Sequence, residues 1–211
     1  MTHATTDLVA STLSLLDWKR TIAGLYAELR AAPDKHAAWG QWRDTRARLF
    51  VEHSESPVPA AERAGYSGPH VYDYDPSWRL LASIDPVEPK RFELTTSTQS
   101  TMAFSRFGVA RFAHGDDELH LELYWLEGYG GGLFVPFADS TSGSETYGAG
   151  RYLLDTVKGA DLGTEDGLLV MDFNFAYQPS CAYDPSWTCP LAPPANRLAV
   201  AVRAGERVAS A

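Results

Sequence analysis

Basic residues are scarce in this sequence of 211 residues, which contains 14 Arg and 4 Lys against 27 Asp and Glu. The formal net charge is −9, and the isoelectric point is near 5.1. A protein that binds nucleic acid or an anionic membrane needs clustered Lys and Arg to contact the phosphates, and the sequence has no such cluster. We therefore expect no nucleic-acid partner and no membrane partner.

Long apolar runs are also missing. No stretch approaches the ~20 apolar residues that a membrane-spanning helix requires. The first residues, MTHATTD, lack the basic start and the uninterrupted apolar run of a secretory signal. These absences predict cytoplasmic localisation. In a reducing cytosol the two cysteines, Cys181 and Cys189, are expected to be free thiols.

The spacing of these two cysteines leaves several interpretations open. They could be half of a metal site, a nucleophile with a resolving partner, or a disulfide. A metal site is disfavoured, because Cys-x7-Cys has no companion pair of ligands. A cysteine nucleophile would need a histidine brought close by the fold, and the candidates are His114 and His120. The simplest interpretation is that both thiols are ordinary packing residues, and we predict no metal.

Familiar catalytic signatures are absent as well. The sequence contains no GxSxG, no GxxxxGK[ST], no HExxH and no glycine-rich turn that opens a helix. The glycine-rich stretch 128–132 precedes an apolar, strand-like segment and is typical of a hairpin loop. The common hydrolase, NTPase and dinucleotide-binding functions therefore lose support, and no cofactor can be assigned.

Two helices are predicted in the N-terminal part of the chain. Residues 1–16 show no clean period, so we expect a disordered or frayed start. A helical segment over 17–53 follows, in which apolar side chains recur at the i, i+4, i+7, i+11 spacing of one helix face. These side chains are Trp18, Ile22, Leu25 and Leu29. Asp34 is a favourable N-cap for a second helix over about 35–52, and Arg43, Arg46 and Arg48 are interpreted as its solvated or ion-paired face.

A β domain is predicted over 54–211, beginning with a proline-rich linker. Its clearest strand is 118–125, where Leu119, Leu121, Leu123 and Trp125 alternate with polar residues and should be buried with Met171 and Phe173. Other strand-like segments are 70–74, 78–84, 91–96, 102–107, 108–113, 151–157, 167–173 and 197–203. The predicted fold is mainly β (α+β), an antiparallel β meander closed as a barrel or sandwich, with N-terminal helices. One core is expected for this length.

The central candidate site is the polar loop that follows the apolar run 133–137. Asp, Ser, Thr and Gly dominate residues 139–150, and an extended pattern restarts at Arg151. Downstream, Asp172 and Asn174 share one face of the strand-like segment 168–174. A buried Asp172 needs a partner, and Arg151 is the obvious candidate because its planar guanidinium can hold a carboxylate through two bonds.

These segments resemble the DUF1684 family of uncharacterised bacterial and archaeal proteins. The resemblance rests on PFADSTSGSETYGAGRYL at 136–153, DFNFAYQPSCAYDPSWTCPLAPPANRL at 172–198 and AGE at 204–206. It rests more loosely on YSGPHVYDYDPSWRL at 66–80, and it covers most of the chain beyond about residue 39. In the family pattern DFN is followed by Arg and then Ala-Tyr-Asn-Pro-Pro-Cys-Ala, whereas this chain has Phe175, Gln178 and Ser180. If that family arginine is the key cation, its loss leaves Arg151 alone or alters the function.

The resemblance implies no established activity. The residues themselves are compatible with three functional hypotheses. The first is a small-ligand binding protein that holds an anion in a pocket around Arg151. Its other ligand-binding residues would be Thr141, Tyr147, Asn174 and Tyr177. The second is a hydrolase-type enzyme that uses Asp172 or Asp139 as its acid–base group. The third is a non-catalytic structural or interaction protein in which an Arg151–Asp172 pair is scaffold. Oligomeric state is not predicted.

Overall fold

The computed structural model describes the backbone of residues 2–209 and the side chains of residues 8–209. Two helices open the chain, α1 (Thr2–Ala31) and α2 (Lys35–Glu52). The predicted N-cap of α2 is confirmed, since the side chain of Asp34 accepts a hydrogen bond from the backbone N–H of Ala37 at 2.9 Å. Residues 2–16, expected to be frayed, belong to α1, while Met1 lies outside the described residues. Because the leucines of this first part remain exposed, it carries no amphipathic period by which the helix could be recognised.

The predicted apolar stripes of both helices pack against the β region. Ile22, Leu25 and Leu29 of α1 are buried, as are Trp39, Trp42, Leu49 and Phe50 of α2. Trp42 lies with its ring edge towards Phe175, and its indole N–H donates to the hydroxyl of Tyr26 at 3.2 Å. Each large side chain buried in this way contributes roughly 1.5–3 kcal/mol to stability. No helix within residues 2–209 is long and apolar enough to cross a membrane.

Within residues 2–209, nine strands form two sheets, both antiparallel. The strands are β1 (His70–Val71), β2 (Arg79–Thr95), β3 (Thr101–His114), β4 (Asp117–Leu126), β5 (Leu133–Phe137), β6 (Arg151–Asp155), β7 (Thr164–Glu165), β8 (Leu168–Asp172) and β9 (Glu206–Arg207). The main sheet has the order β6-β5-β4-β3-β2-β8-β7 and curls into a half-barrel, and β1 pairs with β9 separately. The prediction of a mainly β fold with N-terminal helices is confirmed.

Strands β2 and β3 are each longer than predicted, because two strand-like segments join in one bent strand. The pairing register shifts between Pro86 and Lys90 in β2, and between Arg106 and Gly108 where β3 meets β4. An extra residue in one strand bends it and increases its twist. These irregularities allow a single hairpin to follow the curl of the half-barrel.

The core contains most of the residues expected from the alternation of β4. Leu121, Leu123, Met171 and Phe173 are fully buried and Leu119 partly so, but the burial predicted for Trp125 is wrong, since it is 47% exposed. Up to Leu123, the buried side chains of β4 lie on one face of the strand. Beyond Leu123 the buried side chain is that of Tyr124, which lies on the opposite face. This change coincides with the register shift against β3, so strict alternation does not extend to Trp125.

The segment 197–203, predicted as a strand, has an irregular backbone with one isolated bridge, between Arg197 and Ala138. In this segment the carbonyl of Val202 accepts a hydrogen bond from a buried arginine side chain, which takes the place of a bond from a neighbouring strand.

Candidate functional site

Arg151 is the first residue of β6 and lies at the centre of a buried hydrogen-bond network. Its side chain is 1% exposed. One terminal nitrogen, Nη2, donates to the carboxylate of Asp139 and to the carbonyl of Val202, both at 2.8 Å. The other, Nη1, donates to the carbonyl groups of Ala204 and Glu206. Arg151 therefore ties the loop after β5 to the segment that leads into β9.

The predicted ion pair between Arg151 and Asp172 is wrong. Arg151 pairs with Asp139, whereas the cation nearest to Asp172 is Arg79, with Nε 3.8 Å from the carboxylate. The sheet order explains the difference, because β6 forms one edge of the main sheet and β8 lies near the other. In contrast, Arg79 is directly opposite Asp172 in the register of β2 and β8.

The loop that contains Asp139 and Thr141 is held by its own hydrogen bonds. Oδ1 of Asp139 accepts from the backbone N–H of Thr141 at 2.7 Å and from its hydroxyl at 2.5 Å. The Thr141 hydroxyl also contacts that of Thr146 at 2.9 Å. Such bonds are common where Asp and Thr occupy turns. Asp139 thus has both carboxylate oxygens engaged, one by this turn and one by Arg151.

The side chains of Tyr147 and Tyr177 have other partners than Arg151. The hydroxyl of Tyr147 is 3.4 Å from the carbonyl oxygen of Cys181 and 3.7 Å from its sulfur. Tyr177 is buried with its ring 4.9 Å from the guanidinium of Arg46. The structure therefore separates the predicted ligand residues into several environments and groups only Asp139 and Thr141 with Arg151.

Asp172 and Asn174 form a second buried unit at the end of β8. Oδ1 of Asp172 accepts from the backbone N–H of Asn174 at 3.1 Å and from its side-chain amide at 2.9 Å. The same amide binds the backbone of Asp75 through two hydrogen bonds, at 2.8 and 2.9 Å. Burial raises the pKa of Asp172 to about 6, although these bonds and Arg79 oppose the rise. The adjoining cavity measures about 10 Å³.

The raised pKa of Asp172 predicts a pH-dependent stability. The unfolded carboxyl titrates near 3.8 and the folded one near 6, so the folded state binds the extra proton between these values. Stability therefore falls as pH rises through this window, by up to about 3 kcal/mol at 1.36 kcal/mol per unit. In urea titrations from pH 4 to 7.5, Asp172→Asn should gain stability relative to the wild type as pH rises. A difference that stays flat or falls would contradict the raised pKa.

Sequence reasoning missed how deeply Arg46 of α2 is buried. The Nε of Arg46 donates to Oε1 of Glu206 at 2.7 Å, and its Nη2 lies 2.6 Å from the same oxygen. The side chains of Arg46 and Glu206 are both buried. The rings of Trp42 and Phe50 lie 5.2 and 4.9 Å from its guanidinium. Trp42 and Phe50 lie four residues before and four residues after Arg46, so the three side chains share the apolar face of α2. This spacing is the sequence signal that identifies Arg46 as a buried arginine.

A cleft lies between α1 and the loop 178–189. It consists of two adjoining cavities of about 60 and about 140 Å³, here called the helix–loop cleft. Both cavities are lined by Trp18, Pro57, Lys158 and Ser180. Arg46, Tyr177 and Gln178 also line the smaller cavity, and Lys19, Glu55 and Cys189 also line the larger one.

The cleft combines positive charge with aromatic walls. Lys19, Arg46 and Lys158 contribute cations, whereas Glu55 is the acidic side chain among its lining residues. Nearby, burial raises the pKa of Asp155 even though Lys158, at 3.9 Å, opposes the rise. Within residues 8–209, no hydrogen-bond partner satisfies the buried Oε1 of Gln178. No group of three or more His, Cys, Asp or Glu side chains in that range is placed to hold a metal ion.

The fold defines a mainly β protein in which a curled half-barrel is joined to two N-terminal helices by a buried Arg–Glu pair. The sequence matches the family described as "Protein of unknown function (DUF1684)" over residues 64–207, and the chain belongs to this family. The resemblance seen in the sequence is thereby confirmed.

A similar solved structure is the solution NMR structure of an uncharacterised protein from Haloarcula marismortui. It is 36% identical, with a TM-score of 0.58, and the match covers 79% of this chain and 90% of that one. No curated protein gives a significant match. The comparisons therefore assign a family whose function is unknown.

Proposed function

We propose that the protein binds a small anionic molecule in the helix–loop cleft. The observation that carries this proposal is the convergence of Lys19, Arg46 and Lys158 on one cleft, in a chain whose net charge is −9. Three cations lining one concave surface attract a carboxylate or phosphate group. Glu206 offsets much of the charge of Arg46, so Lys158 and Lys19 supply most of the attraction.

The sequence favoured the same class of ligand at Arg151. There the guanidinium is buried and already donates to Asp139 and to three backbone carbonyl groups, so a ligand would have to displace one of these partners. In the cleft the side chain of Lys158 is about half exposed, and its carboxylate neighbour Asp155 is 3.9 Å away. Of the predicted ligand residues, Tyr177 lines this cleft.

The expected ligand is compact and partly apolar. Cavities of about 60 and about 140 Å³ suit a molecule of a few heavy atoms, with its anionic group near Lys158 and its apolar part against Trp18.

The placement of the predicted acid–base residues supports binding rather than hydrolysis. Both oxygens of Asp139 are occupied by protein donors. Asp172 adjoins a cavity of about 10 Å³, which is too small for an organic substrate.

Replacing Lys158 by methionine should weaken binding about 10- to 100-fold, because a charge-assisted hydrogen bond contributes about 1.5–3 kcal/mol. A thermal-shift screen of small carboxylates and phosphates identifies the ligand, and titration calorimetry then measures its Kd for the wild type and the variant. Lys90→Met is the matched control, because Lys90 is an exposed lysine of β2 that should leave Kd unchanged.

Two results would overturn the proposal. One is a screen in which no compound stabilises the wild type. The other is a ligand that binds Lys158→Met as tightly as it binds the wild type, which would place the anion elsewhere.

A further inference from the structure

Cys181 and Cys189 are in direct contact in the loop that forms one wall of the cleft. The backbone N–H of Cys181 donates to the sulfur of Cys189 at 3.4 Å. Ser97 fixes the backbone of Cys189 on both sides, since its N–H donates to the Cys189 carbonyl at 2.8 Å and its hydroxyl accepts from the Cys189 N–H at 3.0 Å. The surrounding structure therefore holds the two cysteines next to each other.

The two thiols differ in their affinity for the proton. The hydrogen bond from Cys189 lowers the pKa of Cys181 to about 6, with help from the Tyr147 hydroxyl and against the effect of burial. The same thiol–thiol bond, together with burial, raises the pKa of Cys189. The other titratable groups that act on the pair are Tyr147, Tyr152 and Lys158. The opposite directions of these pKa shifts favour a thiolate on Cys181 over one on Cys189.

The helix–loop cleft reaches the pair at Cys189. This residue lines the larger cavity, as does Ser180, while Cys181 lies behind them and does not line it. A cavity of about 140 Å³ admits hydrogen peroxide or another small uncharged hydroperoxide, whereas a protein-sized reductant could not enter it. The free cysteines are otherwise buried, which limits their reaction with larger reagents.

We propose that Cys181 and Cys189 form a reversible oxidation site for small hydroperoxides. The Cys181 thiolate attacks the terminal peroxide oxygen, the O–O bond breaks, and the leaving oxygen takes a proton to become an alcohol or water. Cys181 is then a sulfenic acid, oxidised by two electrons. The sulfur of Cys189 attacks the sulfur of Cys181, the S–O bond breaks, and the displaced hydroxide takes the Cys189 proton and leaves as water. Two thiols and one hydroperoxide thus give one disulfide, one alcohol and one water.

The decisive experiment uses reduced wild-type protein and one equivalent of hydrogen peroxide at pH 7. Intact mass should fall by about two mass units as two thiol hydrogens are lost, and a thiol reductant should restore it. Peptide mapping without reduction should join the peptides that contain Cys181 and Cys189. The proposal is overturned if the mass stays unchanged and both thiols still titrate after unfolding.

Two single variants test the assigned roles. In Cys189→Ser the sulfenic acid has no partner thiol, so dimedone should capture it on Cys181. In Cys181→Ser the remaining thiol is protonated, and dimedone labelling of Cys189 should be at least 10-fold slower under the same peroxide treatment. Equal labelling of the two variants would overturn the assignment of Cys181 as the nucleophile. Neither result depends on the proposed anion binding.

Discussion

Replacing Arg151 by methionine should lower the free energy of unfolding by about 3–5 kcal/mol, the range typical when one partner of a buried ion pair is removed. Methionine keeps much of the apolar side chain but leaves the carboxylate of Asp139 buried without a cation. It also leaves the carbonyl groups of Val202 and Ala204 without the donors that Arg151 supplies. Urea denaturation at pH 7 measures the loss directly.

The matched control is Arg203→Met. Arg203 pairs with Glu145 through two of its nitrogens, but its side chain is 61% exposed, so its removal should cost far less stability than the removal of Arg151. If the two variants lose equal stability, the buried network around Arg151 is not a stabilising scaffold. A role in ligand binding at Arg151 would then regain support.

Replacing Leu121 by aspartate should abolish cooperative folding. Leu121 is fully buried in the middle of β4, and within its strand it has no neighbouring cation to neutralise a new carboxylate. An unpaired charge in a core is among the largest single destabilising changes, above about 4–5 kcal/mol. Near-ultraviolet circular dichroism and the loss of a sigmoidal urea transition provide the measurement.

Leu13→Asp is the control for this change, because it introduces the same chemistry at a position of α1 that is 59% exposed. It should fold with a loss of about 1 kcal/mol or less, mainly through helix propensity. Were Leu121→Asp to unfold at the same urea concentration as this control, the assignment of β4 to the core would be incorrect.

Local patterns in the sequence predicted most of the helices and strands. The period of Ile22, Leu25 and Leu29 and the N-cap at Asp34 predicted α2 and the buried part of α1 correctly. Alternation in β4 located Leu121 and Leu123 in the core. It failed at Trp125, since the position of a β-bulge in the neighbouring strand is not visible in β4 itself.

The chemistry of the candidate site was harder to predict, because ion pairs depend on strand order. The sequence indicated that a buried Asp172 would need a partner, and it offered Arg151. It could not show that β6 and β8 lie far apart in the sheet, so that Arg151 pairs with Asp139 and Asp172 lies beside Arg79. The helix–loop cleft was not foreseen, since its walls combine α1 with a loop more than 150 residues later in the chain.

The spacing of Cys181 and Cys189 allowed four interpretations: half of a metal site, a nucleophile with a resolving partner, a disulfide, and two packing thiols. The last was preferred as the simplest. A separation of seven residues in an irregular loop does not determine whether two sulfur atoms meet. Contact arises because the backbone of Cys189 is held by Ser97, a residue far away in the sequence. Tyr147, likewise distant, adds the hydroxyl next to Cys181.

Both Arg46 and Arg151 have hydrogen-bond acceptors in residues 202–206, which are synthesised after nearly all of the strands they join. On the ribosome, Arg46 therefore emerges 160 residues before its partner Glu206. Until that residue leaves the exit tunnel, α2 lacks the carboxylate that allows its guanidinium to be buried, and the nascent β sheet stays exposed on that side. The last step of folding must therefore wait until Glu206 has left the exit tunnel.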